Sequence, residues 1–236
     1  MHLLTRLCLV FCLALSGVSF AYETIHEVPI QENGEPLVDL QDQTVIAYKS
    51  SYAALYPGCT KVRKTVYEKL RAAQDLLPAG IRFEMQIGLR SLKMQAELFE
   101  QMLQNIDQKC PHLNEKERFF EASKFTAPVK TWEGVQNVPP HSTGGAIDVF
   151  LIDEHGDPLD MGDDPNDFYN EEIIQTESPL ISALARQNRT ILGTALSAVG
   201  FVNYPGEYWH WSYGDRRWAF VLKSEYSIYG PVAASE

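Results

Sequence analysis

Ala146-Ile147-Asp148-Val149-Phe150-Leu151-Ile152 decides the fold. The run is apolar on both faces except for one acid, which predicts a central strand with a carboxylate planted in it. An unpaired buried carboxylate costs several kcal/mol, so Asp148 calls for a partner. Just upstream, Gly144-Gly145 lets the backbone bend sharply, and His141 lies in the loop after Pro139-Pro140. Loop and strand end can therefore present both side chains to one point.

Around this strand the apolar periodicity predicts a mixed α+β domain. Val62, Val66, Leu70, Ala73 and Leu77 step by three or four and place a helix before Pro78 and Gly80. Ile81 to Leu89 then alternates apolar and polar, which predicts a strand ending at Arg90. Ser91 can cap a helix carrying Met94, Leu98, Met102 and Ile106, and Asn114 with Glu117 can form a capping box for a shorter one. After an acidic loop, Ser178-Pro179 opens a helix with Ile181, Leu184, Asn188, Ile191, Ala195 and Val199 on one side and Gly200 as its stop. Pro205-Gly206 turns the chain, and the aromatic stretch Tyr208 to Phe220 is expected to form one or two closing strands.

The amino terminus reads as a processing segment. Met1 to Arg6 is basic, Leu7 to Leu15 is almost unbroken apolar, and Ser19-Phe20-Ala21 supplies small residues for cleavage. Residues 1–21 are thus expected to be a signal peptide and 22–236 one domain, with its core at about 45–222, in a secreted or periplasmic protein. The apolar stretch is shorter than the roughly 20 residues of a membrane span, so no stable membrane insertion is expected once it is removed. Without residues 1–21 the chain carries 19 Lys and Arg against 31 acids, a net charge of −12, which disfavours nucleic acid and anionic lipid. Cys59 and Cys110 are left, and a disulfide and two buried thiols are equally open.

A catalytic zinc ion needs three protein donors and an open position, and imidazole and carboxylate suit it. His141 and Asp148 supply two. Glu207-Tyr208-Trp209-His210 supplies a further imidazole with a carboxylate three residues before it. In a straight strand Glu207 and His210 would face opposite sides, so the pair requires a bend. Glu207 beside the ion could take a proton from water and return it to the leaving amine. Arg90, permanently charged, could stabilise the developing oxyanion. His26, His112 and His155 have no such company and are expected to be surface or ordinary core residues.

His141-Ser-Thr-Gly-Gly-Ala-Ile-Asp148 is similar to the SxHxxGxAxD motif of the M15 zinc peptidases, and Glu207-Tyr-Trp-His210 resembles their ExxH motif. Together with the Arg-bearing strand, Met161-Gly162 and the helix before the aromatic strand, the pattern from Arg82 to Phe220 resembles the VanX-like D-alanyl-D-alanine dipeptidases. The resemblance implies one α+β domain with helices around a small antiparallel sheet and one zinc ion held by His141, Asp148 and His210. It also implies Glu207 as acid/base, Arg90 as oxyanion stabiliser and a small peptide as substrate. Two departures stand out. Pro139 occupies the place of the motif's Ser, and the acidic loop is only loosely similar, with Asp167 or else Asp164 as the carboxylate facing the substrate's ammonium.

Three functions follow as expectations. The first is a zinc dipeptidase cleaving D-Ala-D-Ala or a relative, in cell-wall turnover or salvage. A D,D-carboxypeptidase or endopeptidase acting on longer stems is the second, and a zinc-binding module without turnover is the third. An ammonium anchor and a narrow mouth would favour the first, because a longer chain would leave the anchoring acid unpaired.

Overall fold

The computed structural model describes residues 24–163 and 170–233. The expected signal segment, Asp164 and Asp167 lie outside them. Seven strands, β1 (Leu37–Asp39), β2 (Ala47–Tyr48), β3 (Lys61–Arg63), β4 (Arg82–Ile87), β5 (Ala146–Ile152), β6 (Val202–Tyr204) and β7 (Glu207–Ser212), form two sheets among the described residues. One is the β1-β3 pair. The other runs β2-β4-β5-β7-β6, antiparallel throughout except where the short edge strand β2 lies parallel to β4. The helices are α1 (Ser50–Leu55), α2 (Lys64–Gln74), α3 (Leu92–Lys109), α4 (Glu115–Ser123), α5 (Glu171–Ile174), α6 (Ala183–Ala198) and α7 (Arg216–Leu222).

The two faces of β5 have different work. Ile147, Val149 and Leu151 are fully buried in the main core with Leu70 of α2 and Leu192 and Leu196 of α6. Asp148 and Phe150 point the other way, into a cavity of about 840 Å³ roofed by α3 and α4. That is why β5 is apolar on both faces and yet carries an acid: one side packs on helices, the other lines a site. A second, smaller cluster of Phe99, Met102 and Ile106 from α3 with Ala122 of α4 holds the roof together. Both expected caps form, with Ser91 Oγ accepting from Met94 N at 3.1 Å and Asn114 completing its box with Glu117.

Several expected boundaries move, each because a non-local contact overrides a local pattern. Val62 belongs to β3, paired with Val38, and α2 begins only at Lys64. The alternation of β4 stops at Ile87, because Gly88 is wedged against the Cys59 and Lys61 carbonyls, where a Cβ would come within 3.0 and 2.5 Å. Arg90 therefore sits in the connection to α3, tied through its N–H to the His141 carbonyl at 3.0 Å. The helix expected from Ser178 starts at Ala183, capped by Ser182, and its buried stripe is Ala185, Asn188, Arg189, Leu192, Ala195 and Leu196, leaving Leu184 exposed. Asn188 and Arg189 are buried because they grip the acidic loop: Asn188 donates to the Asp160 carbonyl, and Arg189 to those of Met161, Ile173 and Gln175. The aromatic stretch is strand only as far as Ser212. Asp215 then caps α7 by accepting from Trp218 N at 2.9 Å, so Trp218 and Phe220 are helical. Cys59 and Cys110 are free thiols.

Candidate active site

Strand register brings the expected donors together. Asp148 stands directly opposite His210 across the β5-β7 pair, and directly opposed side chains have Cβ atoms about 4.5–5.5 Å apart. His141 arrives from a short 3-10 turn, Pro140–Thr143, that ends at Gly144 in the left-handed conformation with φ 71°. A side chain there would be strained. His141 Nε2, His210 Nδ1 and Asp148 Oδ1 form a triangle with edges of 3.1, 3.0 and 3.2 Å. All three residues are less than a tenth exposed.

That triangle is built for a cation. His141 Nδ1 lies 2.8 Å from the Gly88 carbonyl, which accepts its proton and leaves the Nε2 lone pair facing inward. A single proton on His210 Nδ1 can satisfy one of its two close neighbours. The remaining lone pairs converge with no donor between them. Metal–ligand bonds of about 2.0–2.1 Å in tetrahedral zinc imply ligand–ligand edges of roughly 3.3 Å, close to those found. The donor set, two imidazoles and a carboxylate, fits zinc.

Electrostatics agree. Burial by itself raises the pKa of Asp148, but the two imidazoles, His141 foremost, hold the carboxyl well below the usual range. Burial also lowers His210, favouring the neutral, ligating imidazole. Glu207, lining the same cavity, is pushed up to about 8 by burial first and by Asp148 second, against the pull of Arg90 and Arg217. Arg90 reaches the site through Asp148 Oδ2 at 3.4 Å and is steadied by Gln95 Oε1 at 3.2 Å.

The bend required between Glu207 and His210 exists as a bulge. Asn203 pairs with Trp211 and the next residue, Tyr204, pairs with Glu207, so β7 carries three extra residues between these pairings. Such a bulge re-aims side chains. One amide holds it: Asn203 Nδ2 lies 3.2, 3.4 and 3.0 Å from the carbonyl oxygens of Glu207, Tyr208 and His210. Trp211 Nε1 adds a bond to the Tyr208 carbonyl at 3.0 Å. Asn203 Oδ1 accepts from Thr176 Oγ1, and Thr176 N donates to the Pro205 carbonyl, stitching the far end of the acidic loop to the turn before Glu207. Asn203 escaped the sequence reading, since an Asn in a short strand signals a turn or bulge without showing what it holds. Gln95, Gly88 and Arg217 escaped it as well.

A buried His-Asp-His triangle lining a cavity with a perturbed carboxylate has the donor set that a mononuclear metal centre requires. The chain belongs to the M15 peptidase family: the family's model, described as D-ala-D-ala dipeptidase, matches residues 102–228, more than half of the chain and inclusive of His141, Asp148, Glu207 and His210. Among curated proteins it is similar to a D-alanyl-D-alanine dipeptidase of Synechocystis sp., 33% identical over 104 residues, which is 40% of this chain and 42% of that protein. A D-alanyl-D-alanine dipeptidase of Escherichia coli is 33% identical over 89 residues, 38% of this chain and 45% of that one. The chain thus spans less than half the length of these curated relatives. A crystal structure of the vancomycin-resistance D,D-pentapeptidase VanY with Zn(II) overlaps 85% of this chain and 94% of its own at 13% identity and a TM-score of 0.46.

Proposed function

We propose that this protein is a zinc peptidase that hydrolyses D-Ala-D-Ala or a closely related small peptide. The observation that carries this reading is the convergence of His141 Nε2, His210 Nδ1 and Asp148 Oδ1 beside a Glu207 whose pKa lies near neutrality. Zinc held there would supply Lewis acidity toward the scissile carbonyl and make water acidic enough to attack near neutral pH. Glu207 accepts the water's proton on its carboxylate and passes it to the nitrogen of the leaving amino acid as the C–N bond breaks. A pKa of about 8 before zinc binds means that this carboxyl can both take and release a proton once the ion's charge draws it down. Arg90 faces the oxyanion that forms at the scissile carbonyl, and its bond to Asp148 fixes the guanidinium before substrate arrives.

The free ammonium of a dipeptide would meet the acidic loop, where Asp167 or Asp164 is the expected anchor. The assay is hydrolysis of D-Ala-D-Ala against its N-acetyl form. Loss of the ammonium pair should cost on the order of 2–5 kcal/mol of transition-state binding, and Asp167→Ala should erase most of that preference. Equal rates on both substrates would count against the dipeptidase reading. A second reading, a carboxypeptidase on longer cell-wall stems, draws support from the size of the cavity. Its volume of about 840 Å³ stands near the top of the roughly 300–1,000 Å³ that accepts drug-sized ligands, more room than two alanines need.

We also propose export. The basic Met1 to Arg6 segment and the apolar run after it support a cleaved leader, and amino-terminal sequencing of the mature protein should begin near Tyr22. An enzyme outside the cytoplasm cannot drain a cytoplasmic dipeptide pool, so wall turnover or salvage suits it.

A further inference from the structure

Among the described residues, four Lys and Arg side chains line the cavity: Arg90, Lys124, Arg216 and Arg217. Three are engaged. Arg90 bonds Asp148 and Gln95, Lys124 pairs with Glu121 and Glu171, and Arg216 Nε donates to the Val28 carbonyl at 2.9 Å. Arg217 differs. Its guanidinium lies over the Tyr204 ring at 4.3 Å, and among the described residues it has neither an acid at ion-pair distance nor a hydrogen-bond acceptor. Burial pulls its pKa below the ordinary arginine value, against the support of Tyr204, Asp215 and Glu207. A half-buried charge that lines a cavity and has no acid at ion-pair distance is suited to a ligand that brings the opposite charge.

Position narrows the ligand. Tyr204 stands edge-on to His210 with ring centroids 6.2 Å apart, so these two separations keep the guanidinium within about 10.5 Å of the His210 ring. A guanidinium held over a ring through its carbon spends no N–H donor on that contact, which leaves donors able to grip a carboxylate with two parallel bonds. One amino acid reaches roughly 3.5 Å beyond the scissile carbonyl, and a charged N–H···O bond adds about 2.8 Å, which keeps the partner within a short walk of the metal triangle. The fold delivers Arg217 there because Asp215 starts α7 immediately after the strand that carries His210.

We propose that Arg217 anchors the C-terminal carboxylate of the peptide, so that the free chain end selects the bond to be cut. This rests on the peptidase reading above, and it separates enzymes that trim a free C-terminus, whether of a dipeptide or of a longer stem, from an endopeptidase.

The test compares D-Ala-D-Ala with its C-terminal amide on wild type, Arg217→Gln and Arg217→Lys. Wild type should prefer the acid by about 10- to 100-fold in kcat/KM, the worth of one charged hydrogen-bonded pair. Arg217→Gln should lose far more on the acid than on the amide, mainly through KM, and bring the ratio toward one, while Arg217→Lys restores part of it. An acid-to-amide ratio that is the same in wild type and Arg217→Gln overturns the assignment. Calorimetric binding of both compounds to zinc-loaded Glu207→Gln protein, with and without Arg217→Gln, reads the same ratio without turnover. Absence of hydrolysis by wild type would therefore count against the peptidase reading alone, while the binding ratio still decides the role of Arg217.

Discussion

Glu207→Gln should make the metal-free protein more stable, and increasingly so as pH rises. In the fold the carboxyl's pKa is raised from its ordinary 4.5 to about 8, chiefly by burial. A carboxyl raised in this way stays protonated in the native state where the unfolded chain has already released its proton. Its contribution is therefore fully present below about pH 4.5 and is lost as pH climbs through about 8. At 1.36 kcal/mol for each pH unit, the ceiling is about 5 kcal/mol, and water entering the cavity around the ionised group leaves roughly 2–5 kcal/mol. Glutamine keeps the shape and cannot ionise. Urea denaturation of both proteins in the presence of a chelator, from pH 5 to pH 9, should give nearly equal stabilities at the acid end and a gap of a few kcal/mol at the alkaline end. Asp148, whose pKa is depressed, loses its contribution only as pH falls below the ordinary carboxylate range. His210, depressed by burial, costs stability as pH falls below its ordinary 6.5. Both act equally in the two proteins and cancel in the difference. Zinc should shrink the gap, because a nearby cation stabilises the ionised carboxylate. Parallel stability curves across the whole range would refute the claim that Glu207 is held neutral by its surroundings.

Substitutions at two further residues probe the supports of the site. Gly88→Ala would place a Cβ 2.5 Å from the Lys61 carbonyl, so the backbone must move and carry the carbonyl away from His141 Nδ1. Zinc affinity, read by competition with a chelator, should fall about 10- to 100-fold, and an unchanged affinity would mean that this contact does not orient the ligand. Asn203→Ala removes the amide from three carbonyls and should cost about 2–3 kcal/mol in denaturant unfolding. Asn203→Asp, which turns a carboxylate toward the same carbonyls, should cost more, and the reverse order would argue against the amide as the holder of the bulge.

The approach of His141 to Asp148 was legible in the sequence for a physical reason, whereas His210 was suggested by its spacing from Glu207 and by the family resemblance. An acid inside a seven-residue apolar strand, a glycine pair that bends the chain beside it and an imidazole just upstream restrict one another closely enough to be read without coordinates. So was the need for a bend between Glu207 and His210, which the period of a strand makes unavoidable. How the bend is made could not be read. It depends on Asn203 lying across from a bulge, a pairing between strands that local pattern does not encode. Similar non-local causes moved the other boundaries: Val62 is drawn into a strand by Leu37–Asp39, and Arg189 is buried because loop carbonyls need its guanidinium. The closing helix was missed because Tyr208 to Phe220 is rich in aromatic residues, and aromatic residues suit strands. Asp215, three residues before Trp218, was the capping signal that would have found α7, and with it Arg217.

The proposed mechanism divides the labour, with His141, Asp148 and His210 holding the metal and Glu207 moving the proton. Zinc content and turnover of D-Ala-D-Ala, measured side by side on wild type, Glu207→Gln and His141→Ala, test it most directly. Glu207→Gln should retain close to one zinc per chain after mild chelation while kcat falls at least about 100-fold, the scale of a lost general acid/base. His141→Ala should lose the metal and the activity together. A Glu207→Gln protein that keeps both its zinc and a near-normal kcat would remove Glu207 from the proton-transfer role.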